Sequence, residues 1–439
     1  MSEQHATPPC PHFGACGGCQ LQHLAYPAQL DRKAARIRDL LSNFSPPELQ
    51  LHASPPLAYR NRIRLTLREV DGQLRAGYLG GAEAHAGAPS KLRLGGVEPQ
   101  PPGAPHLAEM WDEEPPSLEV SGNVAFVPIT QCPIAAPLLG RAAEAFLSVA
   151  NNAAWLRSAA LVPDQLELFT TADESKLQIT LFLRTPQKNP PNRTAADFAV
   201  LCESLRAQVP ELTGAGIALL PSVTRSRRIE QPRPGPVWGP PGLNYSLPTL
   251  PTSNLEPLQY WVPRGAFFQV NRFLLPELVA TVTTAAAASP DRALAWDLFA
   301  GVGLFSRALA RNFAAVTAVE IAEPAATALA QTNLPSLRAV KSTTLDFLRA
   351  AVLQRDRPSL IVLDPPRNGL GDEICSLLVR IAQSAGTAAP TLVYVSCSPN
   401  ALVRDLGNLT GYAIAELHLF DLFPQTSHME TVAILTRSQ

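Results

Sequence analysis

The segment AWDLFAGVGLFS, residues 295–306, decides the fold. Its first half is an apolar strand, its middle a glycine-rich turn, and its end opens a helix. Gly301 and Gly303 let the main chain approach a ligand closely. Strand, tight turn and helix form the opening unit of a doubly wound α/β sheet. The chain downstream keeps that rhythm. AVTAVEI (315–321), LIVLDPP (360–366) and TLVYVSC (391–397) read as buried strands, and LFSRALARN (304–312), PAATALAQT (324–332) and ICSLLVRIAQ (374–383) as helices between them. A domain of this class is expected over residues 251–439.

A lone G-x-G is a weak signal, and the third glycine of a dinucleotide fingerprint is missing; Ser306 stands there. Glu320 closes the next strand, where a carboxylate can hold the hydroxyls of a ribose, so NAD and S-adenosylmethionine both fit this end. LDPPR (363–367) separates them. Asp364 ends a hydrophobic strand at the edge of the sheet where ligands bind, and two prolines fix the following turn. Amine methyltransferases carry an aromatic residue after such prolines. Arg367 takes its place here, which points away from amine methylation.

Two further groups suit chemistry. Cys397, in YVSCSPN (394–400), follows a buried strand instead of lying within it, the position of a nucleophile. Glu430 opens the last strand in DLFPQTSHMETVAIL (421–435); it is the candidate base, with His428 as a rival. The C5 carbon of uracil or cytosine is too poor a nucleophile to take a methyl group. A thiolate added at C6 makes C5 enolate- or enamine-like, and a base must then remove the C5 proton. Cys202 and Cys375 lie within apolar helical patterns and read as core.

Upstream, Cys10, Cys16 and Cys19 crowd CPHFGACGGC (10–19), and Cys132 in QCPI (131–134) is the best fourth partner. The spacing favours a [4Fe–4S] cluster over zinc, although His12 and His23 keep zinc open. A helix is expected over about 27–41, and a hairpin over 59–79 with its turn at Asp71-Gly72. Arg60, Arg62, Arg64 and Arg68 give that hairpin a basic face, read as a phosphate contact. Arg225, Arg227 and Arg228 form a second basic knot, and residues 81–121 read as a surface insertion.

The whole chain sets bounds on these readings. It has 439 residues, 36 Lys and Arg against 37 Asp and Glu, and an apolar share of 46%. Near-neutral charge excludes a polybasic protein without excluding a local basic groove. The 43 prolines read as stiff loops, since aliphatic runs recur throughout. No apolar run reaches about 18 residues, so no membrane span is expected. The first residues lack the pattern of a signal peptide, so a reducing cytoplasm is expected, with cysteines serving as ligands or nucleophiles.

Taken in order, CPHFGACGGCQLQH, YRNRIRL, QCPI, FFQVN, DLFAGVGLFS, DPPRNGL, YVSCSPNALVRDL and DLFPQTSHMETVAIL resemble the uracil-5 RNA methyltransferase family over nearly the whole chain. The last three motifs are the most specific. The resemblance implies a C-terminal Rossmann-like S-adenosylmethionine methyltransferase domain with a doubly wound sheet, an N-terminal cluster segment (1–45) and a central mixed α+β RNA-binding domain (46–250). It implies Cys397 as nucleophile and Glu430 as proton acceptor. Gln269, Phe299, Gly301, Glu320 and Asp364 would contact S-adenosylmethionine, with Asp346 at the adenine through a looser match. Cys10, Cys16, Cys19 and Cys132 would bind a [4Fe–4S] cluster. The implied activity is C5 methylation of a uridine in RNA. A 23S ribosomal RNA is the first expectation; transfer RNA, cytosine C5 and a non-catalytic iron–sulfur RNA-binding factor are the alternatives. A monomer is expected. Three departures stand out: nine residues before Cys10 leave no room for the small β-barrel many members carry, Leu304 replaces an asparagine found in some cofactor loops, and SCSP replaces SCNP.

Overall fold

A computed structural model describes residues 5–81, 124–152, 163–184, 194–220, 232–248, 256–287 and 291–438. Nearly all of the expected insertion and the knot at Arg225, Arg227 and Arg228 lie outside the described residues. Among the described residues no helix is long and apolar enough to cross a membrane.

The strands are β1 (Leu49–His52), β2 (Arg62–Val70), β3 (Gln73–Gly81), β4 (Val124–Pro128), β5 (Gln165–Thr170), β6 (Leu177–Arg184), β7 (Leu212–Leu220), β8 (Arg233–Trp238), β9 (Gly242–Leu247), β10 (Leu258–Pro263), β11 (Leu294–Leu298), β12 (Ala315–Glu320), β13 (Leu337–Lys341), β14 (Leu360–Leu363), β15 (Thr391–Ser396), β16 (Tyr412–Phe420) and β17 (Glu430–Arg437). The α-helices are α1 (Tyr26–Leu41), α2 (Pro137–Asn152), α3 (Thr194–Gln208), α4 (Leu275–Ala287), α5 (Ser306–Leu309), α6 (Glu323–Ala330), α7 (Thr344–Gln354), α8 (Asp372–Ala385) and α9 (Pro399–Asn408).

Two large sheets organise the molecule. The C-terminal sheet runs β1-β16-β17-β15-β14-β11-β12-β13. Five neighbours, from β15 to β13, are parallel, and β17 is antiparallel to both β15 and β16. The chain reverses direction across the sheet between β11 and β14, the switch point where doubly wound sheets bind ligands beyond their carboxyl ends. Burial on both faces explains the unbroken apolar runs of β14 and β15. One face carries Ala295, Val362, Val395 and Val432; the other carries Trp296, Leu363, Tyr394 and Ala433.

The second sheet runs β4-β3-β2-β5-β6-β7-β8 and is antiparallel except for β6 and β7, which α3 joins as a crossover. The hairpin forms where the sequence placed it, with Asp71 and Gly72 both at positive φ. Ile63, Leu65 and Leu67 pack under α2.

The domain boundaries differ from those expected at 45/46 and 250/251. β1 pairs with β16 as an edge strand of the C-terminal sheet, and Ala34, Ile37 and Leu41 of α1 join the core on one of its faces. β9 pairs with β10, and Leu243, Tyr245 and Leu247 pack on the opposite face. The catalytic unit thus borrows its flanks from the chain on both sides of the middle domain. Strand partners distant in sequence leave no local signature, which is why the linear reading drew the borders elsewhere.

Candidate active site

Four polar side chains reach one face of the C-terminal sheet by simple alternation. Asp297 lies two residues after Ala295, Asp364 two after Val362, Cys397 two after Val395 and Glu430 two before Val432; all four reference residues belong to the same core. The ladder pairs Ser396 with Thr431, so Cys397 and Glu430, 33 positions apart in the chain, leave adjacent strands side by side.

The glycine turn forms the neighbouring part of the site. Phe299 adopts φ +67°, and Gly301 and Gly303 adopt +55° and +86°. A methyl group at Gly303 would need a left-handed backbone and would press within 2.8 Å on Leu329 Cδ1, so glycine suits that position best. The Gly301 N–H donates to Glu320 Oε2 (2.8 Å) and the Ala322 N–H to Oε1 (2.6 Å), which fixes this carboxylate at the end of β12. Ser306 donates to Asp297 Oδ2, while Asp297 Oδ1 is buried without a partner among the described residues. Tyr260 Oη, from β10, donates to the Leu304 carbonyl (2.9 Å) and braces the turn. The helix expected over 304–312 reduces to the single turn α5, so no helix dipole of useful length follows the glycine turn.

Gln269 is buried; its backbone carbonyl accepts from Asn61 Nδ2 (3.2 Å), and the Asn61 N–H donates to the Val270 carbonyl (2.9 Å). Asp346 stands beyond β13 in the first turn of α7, where it accepts from Thr343 Oγ1 (2.7 Å) and keeps an exposed carboxylate. The loop after Asp364 is latched from α9: Asp405 Oδ2 accepts from the Leu370 N–H and Tyr394 Oη (both 2.6 Å), and Arg404 donates to the Asn368 carbonyl (2.6 Å).

The electrostatics are unusual for a surface cleft. Burial, then the neighbouring Glu320, raises Asp297 to about 7. Burial with Asp297 and Glu320 raises Asp364 to about 7, and burial with Asp364 lifts Glu430 well above the ordinary carboxylate range. Burial pushes the Cys397 thiol up to about 12; Glu430 and Asp364 add to that, and Arg367 opposes it. Cys397 also precedes Ser398, the N-cap of α9, whose hydroxyl accepts from the Ala401 N–H (3.5 Å). A helix N-terminus favours a thiolate. Burial therefore favours the protonated forms of the carboxyls and of the thiol.

The cysteines at the start are brought together as the spacing suggested. Cys10, Cys16, Cys19 and Cys132 line one small cavity with Phe13, Tyr78 and Ile129. Gly80 of β3 makes this possible, because a side chain there would collide with the Ala15 carbonyl. His12 Nε2 accepts from the Thr130 N–H (3.0 Å), and His23 stacks near Phe13 instead of lining the cavity. As they stand, no three His, Cys, Asp or Glu side chains among the described residues grip a single ion.

The arginines of the hairpin do not form the basic face expected of them. Arg62 is buried; it donates to the Ala266 carbonyl (2.8 Å) and lies 4.1 Å above the Phe169 ring. Arg64 pairs with Glu167 (2.8 Å) above Phe182. Arg60 lines the cysteine cavity. The alternation of the strand was real, but Arg62 is covered by the C-terminal unit and Arg64 by Glu167 and Phe182 of its own sheet, while Arg68 alone of the strand's three arginines stays exposed. Asp297 is the site residue that the linear reading did not single out; the signal was a lone carboxylate inside an apolar strand.

A profile of the tRNA (Uracil-5-)-methyltransferase family matches residues 336–438. The chain is 28% identical over 444 residues to the 23S rRNA (uracil(1939)-C(5))-methyltransferase RlmD of Chromohalobacter salexigens, covering 99% of this chain and 77% of that one. It is 37% identical over 175 residues to the 23S rRNA (uracil(747)-C(5))-methyltransferase RlmC of Shewanella putrefaciens, covering 39% and 43%. The chain is thus similar to uracil-C5 RNA methyltransferases over nearly its whole length, and residues 336–438 match that family's model. Among solved folds of the family, it superposes on the Pyrococcus abyssi tRNA (uracil-54, C5)-methyltransferase bound to S-adenosyl-L-homocysteine with a TM-score of 0.62, over 96% of this chain and 86% of that one at 20% identity. That likeness is one of fold, and it extends across both sheets.

Proposed function

We propose that the protein methylates C5 of a uridine in RNA, with 23S ribosomal RNA as the substrate. The observation that carries the reading is the pairing of Ser396 with Thr431, which sets a thiol and a carboxyl side by side on one sheet face. The full-length likeness to a 23S rRNA methyltransferase supports the choice of RNA.

S-adenosylmethionine supplies an electrophilic methyl group when bound. The residues fit it: Glu320 is fixed for ribose hydroxyls, Gly301 opens the turn, and Asp297 and Asp364 offer a buried acidic floor to a cationic ligand. Phe299, Gln269 and Asp346 complete its surroundings. Cys397 adds to C6 of the ring, C5 gains the electron density to take the methyl group, Glu430 removes the C5 proton, and the C6–sulfur bond then breaks.

Cys10, Cys16, Cys19 and Cys132 are proposed as the ligands of a [4Fe–4S] cluster. The donor set fits, with four thiols on one cavity and Arg60 beside them to offset the negative charge of a thiolate-bound cluster. His12, the histidine in that cavity, already accepts through Nε2 from the Thr130 N–H, which favours a sulfur-only set over a zinc site with histidine. The cluster would hold the N-terminal fold in place. Elemental analysis should return iron, and stoichiometric zinc would overturn this assignment.

RNA carrying 5-fluorouridine at the target should trap the protein covalently in the presence of S-adenosylmethionine, because fluorine cannot leave C5 as a proton. Methylation of ordinary RNA without any trapping would sink the covalent route. Mapping 5-methyluridine in total RNA from a deletion strain identifies the substrate; a missing mark in transfer RNA instead of 23S RNA would overturn the choice of substrate.

A further inference from the structure

The connection from β16 to β17, residues 421–429, leads directly into Glu430. It has no ladder of its own, and Gln425 sits within it at φ +70°, a conformation that glutamine rarely adopts. Buried polar groups from the other end of the chain hold it. Lys33 Nζ donates to Asp421 Oδ1 (2.6 Å) and to the Phe423 carbonyl (3.1 Å). Gln29 and Gln425 are joined reciprocally: the Gln425 N–H donates to Gln29 Oε1, and Gln29 Nε2 donates to Gln425 Oε1 (both 2.9 Å). The Gln425 carbonyl accepts the N–H groups of Gln20 and Leu21 (3.1 and 3.0 Å), one and two residues past Cys19. Tyr59 Oη and Asn271 Nδ2 bind the Pro424 and Leu422 carbonyls.

Gln29 and Lys33 lie one turn apart on α1, and both are essentially inaccessible to solvent. An apolar pair of similar volume would hold a core at least as well as a buried ion pair does. What such a pair supplies beyond stability is one defined arrangement, since Lys33 is held by Asp421 and the Phe423 carbonyl, and Asp421 by Lys33 and the Tyr26 hydroxyl, in a dry interior.

We propose that Gln29 and Lys33 are positioning residues for proton abstraction. Through them the cysteine-bearing N-terminal segment and α1 hold the 421–429 loop, and so Glu430, in register with the thiol. The proposal rests on the roles given above to Cys397 and Glu430. The sheet fixes the start of β17 on both sides, through Ser396 of β15 opposite Thr431 and Phe420 of β16 opposite Glu430; the clasp fixes the loop that delivers the chain into that register.

The double variant Lys33→Met, Asp421→Leu replaces the ion pair with apolar volume, and Gln29→Met removes only the amide. Each is compared with the wild type for thermal unfolding, for binding of S-adenosylhomocysteine by calorimetry, and for turnover and adduct persistence on ordinary uridine RNA. Expected are a wild-type melt, unchanged homocysteine-analogue affinity, a fall in kcat on the order of tenfold to hundredfold with KM unmoved, and a covalent adduct that outlasts the wild-type one. A folded variant that turns over at the wild-type rate overturns the proposal. So does a loss of analogue binding in parallel with turnover, and so does a failure of both variants to fold, since each would make the clasp a general structural support. A wild-type protein that neither methylates nor traps uridine RNA would instead overturn the function itself.

Discussion

Asp297 is a carboxylic acid in the middle of an apolar strand, and its proton is part of the fold. The unfolded chain releases that proton near pH 4, while the folded chain keeps it to about 7. The stabilisation is therefore complete below the unfolded value and is lost as pH rises through the folded one. Asp364 adds the same sign. Between pH 5.5 and 7.5 the ligand-free protein should melt at a falling temperature as pH rises, with a slope bounded by about 1.4 kcal/mol per unit for each such group. Asp297→Asn should flatten that slope in a calorimetric scan; an unchanged slope would place the proton elsewhere. For catalysis, both the thiol and Glu430 must lose a proton that burial helps them keep, so kcat/KM should climb with pH through neutrality. Cys397→Ala should abolish the trapped adduct, and Glu430→Gln should accumulate it on ordinary uridine RNA. Trapping by His428→Ala in place of Glu430→Gln would move the base. At Gly303, an alanine would meet both a left-handed backbone and Leu329; a loss of about 1–2 kcal/mol and weaker binding of S-adenosylhomocysteine are expected.

Elements were legible where a period or a turn spelled them out. The hairpin, α1 and the strands β11, β12, β14, β15 and β17 fall within a few residues of their sequence expectations. β1 was not read, because four residues of which only Leu49 is buried carry no signal apart from the partner strand. β2 was read correctly as a strand and wrongly as a surface for RNA, because alternation tells which residues share a face and not what covers it. The contact of β3 with the cysteine loop gives a test at this scale. Gly80→Val should displace the loop at Ala15, lowering the iron content of purified protein while leaving S-adenosylhomocysteine binding intact. Full iron occupancy in a folded Gly80→Val protein would contradict the close packing described here.

At the scale of the molecule, the two ends of the chain meet. Residues 20–33 hold residues 421–425, so the loop leading into β17 is packed against the N-terminal segment. Removing one partner alone is the harsh change: Lys33→Ala strands Asp421 in the core and should cost about 3–5 kcal/mol in chemical denaturation. The sequence by itself determined the doubly wound class and the glycine turn, and it singled out Cys397, Glu430 and the four cysteines as candidates, because each depends on local pattern or on residue chemistry at a strand end. Tertiary structure decided which face those strand ends share, that Asp297 belongs among them, that Arg62 and Arg64 are interior braces, and that α1 and β1 belong to the catalytic unit. Those facts depend on strand order and on which surfaces meet, and pairing between residues hundreds of positions apart leaves no periodic trace in either partner.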